Sequence, residues 1–232
     1  MNVAIIVAAG LGTRAAAADA TRRKQFRELA GVPVIVHTLR RFDEAEEIGA
    51  TVAVVPESEI DSTLALARKH GIGKLARAVA GGASRTESVW RGLQTVETAT
   101  GIVAVHDGVR PFVTAAEIDA TVRAAAATGA AVLVAPVTDT VKEVEGGRVT
   151  RTLPRERLRR ALTPQCFRLD LLRLAYEQAV SARLEATDCG ALVERLGVEI
   201  SAVEGDPRNV KLTRPEDFAL AEILLKGLGV GG

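Results

Sequence analysis

Short runs of small and β-branched residues recur along this chain, and stretches with helical spacing lie between them. Val3-Ala4-Ile5-Ile6-Val7, Thr51–Val55, Leu75–Ala80, Ile102–His106, Ala131–Pro136 and Glu199–Val203 read as strands. They are continuous rather than alternating, the pattern of strands buried on both faces. Helices are predicted from Pro33 (with Val34, Val36, Leu39 and Phe42 on one face), over Glu57–His70 and over Arg85–Val96. Others run from Thr114 to Thr128, over Leu169–Ala182, from Thr187-Asp188 to Leu196 and over Pro215–Lys226. Ser84 with Glu87, and Thr114 with Glu117, have the spacing of capping boxes. Strands alternating with helices leave few solutions: a three-layer α/β fold with a mostly parallel, Rossmann-like sheet. Val137–Leu153 breaks the pattern. Its two β-branched runs flank Glu145-Gly146-Gly147-Arg148 and predict a projecting β-hairpin.

Ligands of such sheets bind outside the carboxyl ends of the strands. That rule selects the turn Ala8-Ala9-Gly10-Leu11-Gly12-Thr13-Arg14, the pair Gly81-Gly82, and Asp107-Gly108-Val109-Arg110-Pro111. Gly10 and Gly12 allow close approach to the main chain, whose N–H groups can cradle an anion. Arg14 and Lys24 add positive charge, so phosphate is the expected guest. Gly10, Gly12 and Ala15 also match a dinucleotide fingerprint, but the acidic residue that should hold a ribose is missing: the next strand begins only at Thr51. The long polar connection from Ala9 to about Gly31 has the length of a functional loop. Asp107 and Arg110 read either as a simple ion pair or as site residues. Arg155, Arg157, Arg159 and Arg160 read either as a solvated face or as a phosphate clamp beside the hairpin. His106 is expected to orient the Asp107 turn.

Composition narrows the partners. Lys plus Arg is 30 against 29 for Asp plus Glu, a formal charge of +1, and aromatics are 3%. Neither a nucleic-acid partner nor a base-stacking platform is expected. Two distant cysteines, Cys166 and Cys189, suit a reducing compartment and offer no metal spacing. The apolar run at the start is too short for a leader or a membrane span, so a cytoplasmic location is expected.

With these residues in hand, the chain resembles the 2-C-methyl-D-erythritol 4-phosphate cytidylyltransferases of the non-mevalonate isoprenoid pathway. The resemblance is carried in order by A-A-G-L-G-T-R (Ala8–Arg14), K-Q-F (Lys24–Phe26), G-G-A-S-R-T-E-S (Gly81–Ser88) and H-D-G-V-R-P (His106–Pro111). It continues through A-P-V-T-D-T-V-K (Ala135–Lys142), L-T-P-Q-C-F (Leu162–Phe167), Thr187-Asp188 and N-V-K-L-T-R-P-E-D (Asn209–Asp217). It implies a nucleotidyltransferase fold spanning residues 1–226 as one domain, with a dimerisation β-arm at about 137–155 and a flexible tail at 227–232. It implies CTP plus methylerythritol phosphate as substrates, a CDP-alcohol and pyrophosphate as products, and Mg²⁺ as cofactor. Arg14, Lys24 and Lys211 are then expected to be catalytic. Ala8, Ala9, Gly10, Gly12, Gly82, Arg85, Ser88 and Asp107 would bind CTP. Asp107, Arg110, Thr140, Arg155, Thr163, Thr187 and Lys211 would bind the alcohol phosphate, partly across a homodimer with exchanged hairpins. Asp107 would also serve the metal.

The chain departs from the family pattern at Arg23, where a proline usually precedes the lysine, in a lengthened Arg14-to-Lys24 segment, and at Cys189, where an acid is frequent. Two other readings share some of these features: a cytidylyltransferase for a pentitol phosphate such as ribitol 5-phosphate, and a nucleotide-binding regulator without turnover.

Overall fold

β1 (Val3–Val7) lies at the centre of the sheet and shows why the chain folds in layers. Val3 and Ile5 point to one face and Ala4 and Ile6 to the other, and all four are buried. The computed structural model describes residues 1–10 and 23–227. Lys24–Phe26 forms a single 3-10 turn, and a small hairpin of β2 (Glu28–Leu29) and β3 (Val32–Pro33) leads into α1 (Val34–Glu44). β4 (Ala50–Val55), α2 (Ile60–Lys69), β5 (Leu75–Ala80) and α3 (Arg85–Leu93) follow. Next come β6 (Ile102–Asp107), α4 (Ala115–Thr128) and β7 (Ala130–Pro136). The ribbon of β8 (Val141–Glu145) and β9 (Arg148–Leu153) forms a separate two-stranded sheet. β10 (Arg159–Arg168), α5 (Leu169–Ser181), α6 (Cys189–Glu194), β11 (Ser201–Glu204) and α7 (Pro215–Gly227) complete the chain.

Among the described residues, seven strands form the main sheet in the order β11-β7-β10-β6-β1-β4-β5. β10 runs antiparallel to both neighbours, whereas the other paired strands are parallel. The three-layer, mostly parallel α/β expectation is therefore met. Residues of α1, α2 and α4 pack on one face, and residues of α3, α5 and α6 on the other. A third cluster, including Leu29, Val34, Val109, Leu212 and Phe218, ties α7 to the loops beyond the carboxyl ends of the central strands. No helix among the described residues is long and apolar enough to cross a membrane.

β10 is the strand that the sequence hides. Its basic opening reads as a surface patch, and Pro164 lacks the N–H that a central strand needs. The register to β7 shifts between Ala161 and Gln165, so the ladder skips the proline, and the Thr163–Pro164 peptide is cis. The connection before Gly31 likewise contains a 3-10 turn and a hairpin where only polar loop was expected. Pro33 sits at the N-cap of α1 rather than inside it, and α3 ends at Leu93 rather than Val96. The Thr114–Glu117 capping box is complete. Ser84 caps α3 by accepting from Glu87 N–H, but Glu87 Oε2 accepts from Ala83 rather than returning to Ser84. Gly146 and Gly147, with φ of +54° and +78°, make the tight turn of the β8–β9 ribbon. Gly227 is the last residue of α7, and residues 228–232 lie outside the described residues.

Gln165 fastens the antiparallel strand to α6. Its Oε1 accepts from Cys189 N–H (2.9 Å) and Gly190 N–H (3.1 Å), and its Nε2 donates to Asp188 Oδ2 (2.9 Å). Leaving buried donors without partners costs about 1–3 kcal/mol each. Gln165→Leu is therefore expected to destabilise the fold by about 2–4 kcal/mol, measured by urea unfolding. A change below about 0.5 kcal/mol, the usual range for surface substitutions, would show that these bonds are replaceable.

Candidate active site

β1, β4, β5 and β6 all end on the same side of the sheet, and their carboxyl ends open into a cleft of about 710 Å³. Ala8, Ala9 and Gly10 line it after β1. Gly81, Gly82, Ser84 and Arg85 line it between β5 and α3. Asp107 enters from β6, Lys24 from the 3-10 turn, Thr187 from the approach to α6, and Lys211 from the loop before α7. Arg23, Lys24, Arg85 and Lys211 supply positive charge, and among the described residues Asp107 is the one carboxylate in the lining. A nearly neutral chain thus concentrates cations where an anion can enter.

Asp107 is the electrostatic centre. Lys211 Nζ lies 2.8 Å from Oδ2, Arg110 Nε 3.5 Å from the same oxygen, and Arg85 Nε 3.3 Å from Oδ1. The Asp107 side chain is only 9% exposed. Burial on its own would push this carboxyl up, but Arg85, Lys211 and Arg110 together hold it far below the usual carboxylate range. It is therefore ionised at neutral pH. Arg110 is held further by donating from Nη1 to Asn209 O (2.8 Å). Arg85 Nη1 also reaches Cys189 Sγ (3.6 Å), which in turn contacts Tyr176 Oη (3.1 Å).

Steric fit explains the glycines. A Cβ on Gly81 would stand 2.1 Å from the Ala9 Cβ, and one on Gly82 would stand 2.2 Å from Glu87 Cδ. The two cleft loops touch through Gly81. Among the described residues nothing lies within 4 Å of a Cβ added at Gly10, and its φ is not left-handed. Ser88 is buried, and its hydroxyl donates to Ser84 O (2.8 Å) and accepts from Gly82 N–H (3.0 Å), holding the slot in shape. Gln25, to which the sequence reading gave no task, donates from Nε2 to Ala8 O (2.5 Å) and Gly10 O (3.4 Å). It ties the Lys24 turn to the glycine loop. Its place inside K-Q-F, between a cleft cation and a buried phenylalanine, was the available signal.

The remaining expected residues lie elsewhere. Gly12 and Arg14 fall outside the described residues. Thr163 is buried with its hydroxyl turned toward His106 and the Asp107 N–H, away from the cleft. Thr140 and Arg155 are exposed near the base of the β8–β9 ribbon and do not line this chain's cleft. Arg155 Nη1 donates to Thr138 O (2.6 Å).

The model of the 2-C-methyl-D-erythritol 4-phosphate cytidylyltransferase family matches residues 2–227. The chain is 44% identical over 229 residues to the enzyme of that description from Acidobacterium capsulatum, covering 96% of each. It is also 44% identical over 221 residues to that of Halalkalibacterium halodurans, covering 95% of each. Among solved structures, it resembles 4-diphosphocytidyl-2C-methyl-D-erythritol synthase from Anaerococcus prevotii with a TM-score of 0.87 at 28% identity, covering 97% of this chain and 96% of that one. The 2-C-methyl-D-erythritol 4-phosphate cytidylyltransferase of Thermus thermophilus gives a TM-score of 0.79 at 33% identity, covering 97% of this chain and 100% of that one.

Gly81→Ala is expected to separate the two cleft loops, because the clash is with backbone-attached Ala9 Cβ rather than a flexible tip. CTP affinity measured by calorimetry should fall at least about tenfold, since such overpacking typically costs 1–3 kcal/mol. An unchanged affinity would show that the close approach of the loops is not needed for binding.

Proposed function

This chain belongs to the 2-C-methyl-D-erythritol 4-phosphate cytidylyltransferase family, a family of nucleotidyltransferases that make an isoprenoid precursor, and we propose that the cationic cleft around Asp107 is where it joins CTP to methylerythritol phosphate. The reaction transfers the cytidylyl group. A phosphate oxygen of the alcohol phosphate attacks the α-phosphorus of CTP, a new P–O bond forms, and the α–β phosphoanhydride bond breaks to release pyrophosphate. The observation that carries this placement is the convergence of Lys24, Arg85 and Lys211 with the glycine loops at the carboxyl ends of the strands.

The attacking phosphate has a second pKa of about 6 and is already mostly ionised near neutral pH. No side chain has to take a proton from it. The protein's task is to bring two polyanions together and offset the charge that grows around phosphorus and on the leaving pyrophosphate. Lys24 and Lys211 act as point charges at the triphosphate, and Arg14 is assigned the same task. Backbone groups of Ala8–Gly10 cradle phosphates, while the Gly81–Ser84 slot and Gly82, kept open by Ser88, meets the base. Asp107, with Arg85 and Arg110 beside it, sets the facing edge.

Mg²⁺ is part of the proposal. Magnesium is usually bound by one or two carboxylates together with substrate phosphates, and the donor set among the described residues, with Asp107 as the one lining carboxylate, fits an ion held mainly by the triphosphate. It would screen the charge on the phosphates. The chain's own residues orient those phosphates through Lys24, Lys211 and the glycine loop.

A homodimer completes the reading. Thr140 and Arg155 stand outside the cleft of their own chain, and Val144 and Val149, paired across the ribbon, leave an apolar patch 57% and 62% exposed. A second copy that covers this patch would receive Arg155 as a bidentate clamp for the alcohol's phosphate and Thr140 for its hydroxyls, with Thr187 and Arg110 opposite.

Pyrophosphate release with CTP and methylerythritol phosphate, with CTP and ribitol 5-phosphate, and with CTP alone tests the acceptor. Turnover is expected chiefly with the first. Lys24→Ala should lower kcat by about 10²- to 10³-fold with folding intact, and near-normal kcat would remove Lys24 from the reaction. Arg155→Ala should raise KM for the alcohol phosphate and leave that for CTP unchanged. Mixing it with Lys24→Ala should restore turnover beyond the sum of the separate variants, because one exchanged site would then carry both residues. Strict additivity would mean that Arg155 does not act across subunits.

A further inference from the structure

His106 is fully buried at the end of β6, immediately before Asp107, and none of its atoms lines the cleft. Its ring packs against Phe42 with centroids 4.9 Å apart and a tilt of 59°. Both ring nitrogens are engaged: Nε2 is 3.1 Å from Arg110 O, and Nδ1 is 3.0 Å from Thr163 Oγ1. Thr163 Oγ1 also accepts from the Asp107 N–H (3.2 Å).

The polarity of this chain of bonds is set by its ends. A backbone carbonyl can only accept, so the proton of the ring sits on Nε2 and points at Arg110 O. A backbone N–H can only donate, so Thr163 Oγ1 accepts from Asp107, and its own proton is left to turn toward His106 Nδ1. The ring is then neutral with a bare Nδ1, and each group in the relay has a partner.

The relay spans the segments that carry the charges of the site. Arg110 O and Asp107 N are the two ends of the turn that holds Asp107 and Arg110. Thr163 belongs to the antiparallel β10, and its carbonyl accepts from Asn209 Nδ2 (2.9 Å). The Asn209 carbonyl accepts from Arg110 Nη1 (2.8 Å), and Lys211 follows two residues later. We propose that His106 is a positioning residue for cytidylyl transfer: as a neutral, Nε2-protonated ring it locks Thr163 and the 107–110 turn so that Asp107 meets Arg85, Arg110 and Lys211 in one fixed geometry. The inference rests on the placement of the reaction around Asp107. It gives Thr163 a task inside the protein, that of the hinge between the ring and the Asp107 backbone.

His106→Phe keeps a ring of similar shape against Phe42 and removes both nitrogens. Losing buried hydrogen bonds of this kind should lower kcat by about 10- to 100-fold with little change in KM for CTP. The same substitution in an Asp107→Asn background should cost little more, because residues that act as one unit are not additive. Near-normal kcat for His106→Phe, or an equal fold-loss in both backgrounds, would overturn the proposal, the second because it marks a general structural defect. Long-range proton–nitrogen spectra of the His106 ring in the unmutated protein test the relay independently of how the variants fold. A proton on Nε2 and a bare Nδ1 at neutral pH is expected, and a proton on Nδ1 overturns it. Full turnover in Asp107→Asn alone would instead remove the reaction from this centre, and the ring spectrum would still decide the relay.

Discussion

One buried carboxylate makes the site possible. Arg85, Arg110 and Lys211 come from α3, the β6 turn and the loop before α7, and without an anion among them their mutual repulsion would open the cleft. Taking a carboxylate out of water costs several kcal/mol, and one ion pair at about 4 Å returns about 4 kcal/mol at an effective dielectric of about 20. A single partner would leave Asp107 near balance. Three partners leave it firmly ionised, which is the direction its pKa takes. The arrangement also keeps excess positive charge in the cleft, because one anion cannot neutralise three cations. A polyphosphate entering there meets cations already held in place, so little of its binding energy is spent on gathering them.

The fold supports this centre by an exception to its own rule. Parallel strands bring β1, β4, β5 and β6 to one edge, but the pieces that fix Asp107 from the far side hang on the antiparallel β10. Where its ladder slips between Ala161 and Gln165, the Thr163 carbonyl is free to accept from Asn209, and the Thr163 side-chain Oγ1 accepts from the Asp107 N–H. Two residues on, Gln165 returns to the ladder and fixes the N-terminus of α6, beside Thr187. The irregular stretch therefore serves two walls of the cleft. A regular strand would pair the Thr163 carbonyl with β7 and leave Asn209 unsupported.

What could be read from the sequence follows from the range of the forces involved. The strand at 3–7, the helix cap at Thr114 and the turn at Gly146-Gly147 depend on neighbours within a few residues, and the pattern discloses them. The carboxyl-end rule then picks out Ala8–Gly10, Gly81-Gly82 and Asp107 before any contact is known. β10 is concealed because its stability comes from β6 and β7, distant in sequence, and because Pro164 breaks the local signal. Hydroxyl direction is concealed for the same reason. Ser88 and Thr163 sit in motifs that suggest ligand contact, yet Ser88 Oγ closes its own loop and Thr163 Oγ1 faces His106. Gln25 has no periodic signature at all, since its partners are two carbonyls about fifteen residues away.

At position 189 the family resemblance implies an acid, and the structure has a buried thiol there. An acid at this place would give Arg85 a second anion, whereas the thiol is buried and its pKa is pushed up by that burial against the pull of Arg85. It is therefore uncharged at neutral pH, a polarizable contact at 3.6 Å rather than a counter-ion. The charge of Arg85 is left to Asp107 and to whatever anion enters the cleft. Tyr176 fills the space behind the sulfur and is itself almost fully buried, so the change of charge leaves no hole. A neutral thiol rather than a carboxylate at the back of the site leaves more positive potential at its front. In a reaction whose barrier lies in crowding negative charge around phosphorus, that shift works in the direction of the chemistry.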